Sequence, residues 1–108
     1  SNFNTNLDEI INVYNFPNPF SDRTFFTYQI KDYSETSIST KLVILSQKGR
    51  IVRSIKNNSK EGVNFISIEW DGKDHSGKLV PNGSYIYTLH IKLNNNEYHR
   101  KGIVSIIR

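Results

Sequence analysis

From residue 24 to 30 the chain reads Thr-Phe-Phe-Thr-Tyr-Gln-Ile, with Phe26, Tyr28 and Ile30 at every second position and Thr27 and Gln29 between them. Successive side chains of a strand point to opposite faces, so this spacing predicts a strand with one apolar and one polar side. The same period places Leu42 with Ile44, Ile66 with Ile68 and Trp70, and Tyr85 with Tyr87, Leu89 and Ile91 on single faces. Their neighbours Lys41, Glu69, Thr88, His90 and Lys92 fall on the opposite faces. The segments that read as strands are 10–14, 24–30, 40–45, 50–55, 65–70, 84–93 and 97–107, and helical spacing is rare. Two packed sheets bury apolar stripes of this size between them, so the expected fold is all-β, a sandwich of about seven antiparallel strands.

Turn chemistry sets the connections. Ser-Gln-Lys-Gly (46–49) ends in Gly49 and predicts a hairpin, as does Leu-Asn-Asn-Asn-Glu (93–97), whose asparagines tolerate positive φ. Residues 55–62 are polar after Ile55 and read as a mobile surface crossing from one sheet to the other. Residues 48–56 carry Lys48, Arg50, Arg53 and Lys56 around Ile51, Val52 and Ile55, which reads as a strand with charged solvent positions and apolar core positions. The expected organisation is a flexible N-terminal lead over 1–9 and one domain over 10–108, a length that buries a real core without staples.

Composition narrows the function classes. The chain has 108 residues with no Cys and no Met, and it also lacks Ala. Disulfides and thiolate metal sites are therefore excluded. The net charge of +4 is spread along the chain rather than gathered into a stripe, which argues against nucleic-acid binding. No apolar run approaches the roughly 20 residues of a membrane-spanning helix, so no integral membrane segment of that kind is expected.

Candidate chemistry is sparse. Asp71 and Asp74 with nearby His75 raise an acid/base pair or a calcium loop, but Lys73 and Lys78 interrupt the pattern and no terminal bidentate Glu follows. Both carboxylates read better as turn residues accepting backbone N–H bonds. His75, His90 and His99 lack the spacing of a metal trio and read as surface residues. Without Cys or a Gly-x-Ser-x-Gly turn there is no activated nucleophile, so neither an enzyme nor a cofactor is expected.

The densest punctuation is Trp-Asp-Gly-Lys-Asp-His-Ser-Gly-Lys-Leu-Val-Pro-Asn-Gly-Ser-Tyr-Ile-Tyr, residues 70–87. With Trp70, Asp71, Gly72, Asp74, Gly77, Val80, Gly83, Tyr85 and Tyr87 it resembles the signature of the immunoglobulin-like domain of the flagellar hook-capping (FlgD Ig-like) family. Upstream, Pro17, Asn18, Pro19 and Phe20 resemble that family's opening Tyr-Pro-Asn-Pro-Phe element, and residues 42–55 around Gly49 resemble its central strand, turn and strand. Phe16 and Leu45 depart mildly from the pattern. The resemblance covers about residues 13–107 and implies an immunoglobulin-like sandwich. The prolines would then fix φ near −65° around Asn18 in an extended lead-in that discourages edge pairing, while Phe20 plugs one end of the sandwich.

Within that family, domains at the C-terminus of Bacteroidetes proteins resemble accessory or sorting modules of the type IX secretion route, including the tail of a gingipain-like cysteine peptidase that acts as its sortase. The resemblance implies a non-catalytic module of a larger secreted or outer-membrane-associated surface protein. Its expected partners are other domains of the parent and the secretion or surface machinery. Contacts are expected on the outer face or exposed edge of the last hairpin, at Lys92, Tyr98, Arg100 and Lys101, because edge strands offer unpaired backbone groups. Two other readings stay open. A carbohydrate-binding module would display Phe25 with Tyr98 or Tyr33 on one face, and a spacer or scaffold domain of a surface or gliding protein would have sequence on both sides.

Overall fold

The computed structural model describes residues 10–31, 37–59 and 65–108. They form seven strands and, among the described residues, no helix: β1 (Ile10–Phe16), β2 (Thr24–Ile30), β3 (Ile38–Leu45), β4 (Ile51–Ser59), β5 (Phe65–Trp70), β6 (Gly83–Leu93) and β7 (Asn96–Ile106). A three-stranded sheet in the order β1-β2-β5 faces a four-stranded sheet in the order β4-β3-β6-β7, and every strand pair is antiparallel. The expected all-β, immunoglobulin-like sandwich is the observed architecture.

Apolar alternation built the core as read. Phe26, Tyr28, Ile30, Leu42, Ile44, Ile66, Ile68, Trp70, Tyr85, Tyr87, Leu89 and Ile91 are all buried between the sheets. Aromatic rings meet edge to face there, Phe26 with Tyr87 at 4.8 Å and Trp70 with Tyr85 at 6.1 Å between centroids, the arrangement their quadrupoles favour. Inside the core, the Tyr28 hydroxyl hydrogen-bonds Thr40 Oγ1, and burial pushes its pKa up to about 12.

Both expected hairpins form. Gly49, at φ +88°, closes the β3–β4 turn with its N–H donating to the Ser46 carbonyl at 2.9 Å, and Asn94 adopts φ +55° between β6 and β7. The chain changes sheets between β4 and β5, as the polar segment suggested, but β4 runs on to Ser59, pairing Asn57 with Thr40 and Asn58 with Ser39. Residues 60–62 of the expected crossing, and residues 1–9, lie outside the described residues. A β-bulge opposite Ile44 and Leu45 sorts the 48–56 strand differently from its pattern. Val52 and Ile55 pack against the core, Ile51 is 55% exposed, and Arg53, expected to face solvent, reaches the loop after β5.

The proline-rich segment also differs from its expectation. Both the Phe16–Pro17 and Asn18–Pro19 bonds are cis, and residues 17–19 bend where an extended lead-in was expected. The covering role of the segment is nevertheless plain. Phe20 is buried edge-on to Trp70, with centroids 5.5 Å apart, and forms a parallel bridge with Ile106. Its N–H donates to the Ser105 carbonyl at 3.0 Å and its carbonyl accepts from Ile107 N at 2.9 Å. Asn18 extends this ladder with its side chain, donating from Nδ2 to the Ile103 carbonyl at 3.0 Å and accepting at Oδ1 from Ser105 N at 3.0 Å. The free side of β7 is thus covered from Ile103 onward.

Candidate partner-binding surfaces

The loop between β5 and β6 closes the Trp70 end of the sandwich. Asp71 Oδ1 accepts from Lys73 N at 3.1 Å and from Arg53 Nη1 at 3.1 Å, and Arg53 also donates to the Lys73 carbonyl. Asp74 Oδ1 accepts from the backbone N–H of Ser76 and Lys78, bonds that, Lys78's foremost, hold its carboxyl below the usual range. Gly77 N donates to the Asp74 carbonyl at 3.0 Å. Both carboxylates therefore act as turn residues. Among the described residues no three His, Asp or Glu side chains gather as metal ligands would.

Gly72 is where this end is tightest. It sits at φ +75°, where a side chain is strained, and a Cβ there would lie 2.7 Å from Arg108 Nη2 and 3.4 Å from the Phe20 ring, so any other residue would have to displace the Arg108 guanidinium. The Arg108 guanidinium donates to the Gly72 carbonyl at 3.2 Å and to that of Val80, while Asn82 Oδ1 accepts from Arg108 N. Trp70 Nε1 donates to the Lys73 carbonyl at 2.9 Å and the Tyr85 hydroxyl to the Pro81 carbonyl at 2.6 Å. Hence the signature residues Trp70, Asp71, Gly72, Asp74, Gly77 and Tyr85 serve one closed loop. Arg108, which the sequence reading did not single out, ties it to the last strand. Beside it a groove of about 600 Å3 runs between Lys48, Arg50 and Ile51 on one wall and His75, Val80 and Pro81 on the other. It holds no nucleophile hydrogen-bonded to a base among the described residues.

Strand register separates the four residues expected to meet a partner. Arg100 pairs with Leu89 and Tyr98 with Ile91, both core residues, so these two side chains belong to the inner face, and Tyr98 packs against the core. Lys92 pairs with Glu97 and Lys101 with Thr88 on the outer face, where both lysines are exposed. Arg100 Nη1 donates to the His99 carbonyl at 2.8 Å. The structure therefore places Lys92 and Lys101 on one face, on either side of the His90–His99 pair, and turns Tyr98 and Arg100 to the other. His90 and His99, expected as separate surface residues, face one another in register on the outer side, ring centroids 4.8 Å apart. Burial, then His99 and Lys41, hold the His90 pKa below the usual histidine value.

The rings expected for carbohydrate stacking are distributed differently. Tyr98 packs inward and Tyr33 lies outside the described residues. Phe25, however, pairs in register with Phe16 on the outer face of the three-stranded sheet, beside Tyr14, which pairs with Thr27, while Phe65, which pairs with Gln29, lies toward the other end of the same face. Phe16 is 72% exposed and Tyr14 56%. Alternation along β2 and β5 was the available signal for Phe25 and Phe65, whereas the register shift between Ile11 and Tyr14 turns Tyr14 and Phe16 to the face opposite buried Ile10, which simple alternation does not give.

A sequence model described as the FlgD Ig-like domain matches residues 24–97, more than half of the chain. The chain belongs to the FlgD Ig-like domain family. Among solved structures, this FlgD Ig-like domain is similar to part of dimeric latent PorU from Porphyromonas gingivalis, with a TM-score of 0.74 and 21% identity over 88% of the domain and 9% of that chain. It therefore spans only a small part of PorU's length. FlgD from P. aeruginosa aligns at a TM-score of 0.49 and 21% identity, over 68% of the domain and 64% of that chain. A search of curated proteins returns no match.

Proposed function

We propose that this FlgD Ig-like domain is a non-catalytic accessory or sorting module, and that it belongs to the C-terminal part of a larger secreted or surface protein of the type IX secretion route, a PorU-like cysteine peptidase or sortase among the candidates. The observation that carries this reading is the fit of 88% of the domain onto 9% of latent PorU. A unit that small beside the whole is suited to recognition, with any catalysis in another domain of the parent. The carboxylates of the β5–β6 loop, each accepting backbone N–H bonds at Oδ1, agree with a closing role rather than a reactive one. Its partners would be neighbouring domains and the secretion or outer-membrane surface machinery, met through the last hairpin. The test is surface delivery of the parent protein, intact and with residues 10–108 deleted, followed by surface labelling. Loss of delivery with intracellular peptidase activity retained supports the module, and normal delivery overturns it.

A second reading, carbohydrate binding, is favoured by the shared face of Phe16, Phe25, Tyr14 and Phe65. Exposed rings on one sheet face stack on sugar rings. Co-sedimentation of the chain with an insoluble polysaccharide, abolished by Phe16→Ser with Phe25→Ser, would establish it. Sedimentation indifferent to that pair would dismiss it.

A further inference from the structure

The outer face of the four-stranded sheet carries its chemistry in rows that run across the strands. Register aligns Lys56, Lys41, His90 and His99 in one row, with Lys92 and Lys101 beside it. Four residues away along β3, register aligns Ile51, Leu45, Ile86 and Ile103 in a second row. Ile51 is 55% and Ile103 62% exposed. Between the two lie Ser54, Val43, Thr88 and Lys101. Glu97, opposite Lys92, is the one carboxylate on this face among the described residues.

We propose that this face docks an acidic amphipathic helix of a partner protein, laid across the strands with its apolar stripe on the isoleucine row and its carboxylates on the Lys/His row. The claim rests on the recognition role proposed above and names its partner. Charge complementarity calls for an anion, and the second row selects among anions. An acidic polysaccharide or a nucleic acid has no use for exposed Ile51 and Ile103, whereas a helix carries both chemistries on adjoining flanks. The dimensions agree. Four strands about 4.8 Å apart make rows roughly 14 Å long, about ten residues of helix, and four residues of strand separate the rows by about 13 Å, near a helix diameter.

The histidine pair adds pH dependence. His90 faces Lys41 on β3, His99 on β7 and Thr88 on its own strand, with Thr88 Oγ1 hydrogen-bonded to His90 Nε2 at 3.1 Å. Lys56, Lys92 and Lys101 lie around the pair, and among the described residues of this face Glu97 offers the single opposing charge. With burial, then His99 and Lys41, favouring the neutral imidazole of His90, that residue gains charge only in acid, and docked carboxylates favour its protonation.

The probe is a synthetic peptide of about 15 residues, long enough to form a helix on docking, with Leu at i, i+4, i+7 and i+11 and Glu on the adjoining flank. Its binding to the 108-residue chain is followed by NMR shift changes. Binding that maps to both rows and strengthens about tenfold from pH 7.5 to 5.5, as a one-unit shift in a linked histidine gives, is the expected result. Lys41→Glu and Ile103→Ser should each weaken it about fivefold or more with the melting curve unchanged, and His90→Ala with His99→Ala should remove the pH dependence. Equal binding of a scrambled peptide overturns the proposal. So does stronger binding of heparin or phosphatidylglycerol vesicles that ignores Ile103→Ser, or no peptide binding at millimolar concentration and pH 5.5. None of these outcomes bears on delivery of the parent, so the two readings fail separately.

Discussion

Trp70 has no exposed surface, touches Phe20 and Tyr85 edge to face, and satisfies its indole N–H on the Lys73 carbonyl. Trp70→Ala should cost about 3 to 5 kcal/mol, through lost burial and the cavity left behind. The urea midpoint measures this, and a midpoint that barely moves would mean the Trp70 end of the sandwich is not packed as described. Tyr28 gives a different signature. Its folded pKa of about 12 lies above the ordinary 10, so its contribution is complete below pH 10 and is lost as pH rises toward 12. Unfolding free energies measured across that window should fall by about 2 to 3 kcal/mol more in the wild type than in Tyr28→Phe. Gly102 is a third sensitive point, since a Cβ there would lie 2.5 Å from the Tyr87 hydroxyl across the β6–β7 ladder. Nothing in the sequence pattern marked it, because the constraint comes from a ring on the neighbouring strand.

At the scale of elements, the cover over the Ile103 carbonyl and the Ser105 N–H of β7 depends on one side chain. Asn18→Ala would leave the Ile103 carbonyl and Ser105 N–H to solvent, and it should cost about 1 to 2 kcal/mol for two exposed hydrogen bonds. Amide exchange at Ser105 should quicken while the neighbouring Val104 amide, which alternates toward β6, is unaffected. An unchanged Ser105 amide would dismiss the side-chain ladder. The strands themselves were legible in the sequence because one face of each is buried, and alternation records that directly. Strand ends were less legible where burial does not reach. β4 continues through Asn57 and Asn58 because an edge strand pairs by its backbone, here with Thr40 and Ser39, beyond the apolar positions that alternation records. The inward turn of Tyr98 and Arg100 follows from their register against Ile91 and Leu89, which the hairpin turn sets and residue type does not.

For the whole molecule, the two outer faces differ in kind. The three-stranded sheet shows Tyr14, Phe16, Phe25 and Phe65, while the four-stranded sheet shows lysines, histidines and a row of isoleucines. A net charge of +4 conceals this division, which exists only once the register is known. The β5–β6 loop, which most invited a metal reading, presents carboxylates already bonded to backbone N–H groups. Millimolar calcium should therefore leave the Tm where it is, because a ligand stabilises only what it binds in the native state. A clear upward shift in a thermal scan would reopen Asp71 and Asp74 as ligands.

The ladder joining Asn18 and Phe20 to residues 103–107 also has a mechanical meaning. Ile10 pairs with Ile30 at one end of the sandwich, whereas Arg108 binds Gly72 and Val80 at the other, beside Phe20. The bridge between Phe20 and Ile106 is parallel. Tension applied through residue 10 and Arg108 therefore pulls the two bridged segments past each other, and their bonds bear the load together instead of opening one after another. A domain strung between a large protein and an anchoring surface would resist pulling along this axis better than peeling from the β4 edge.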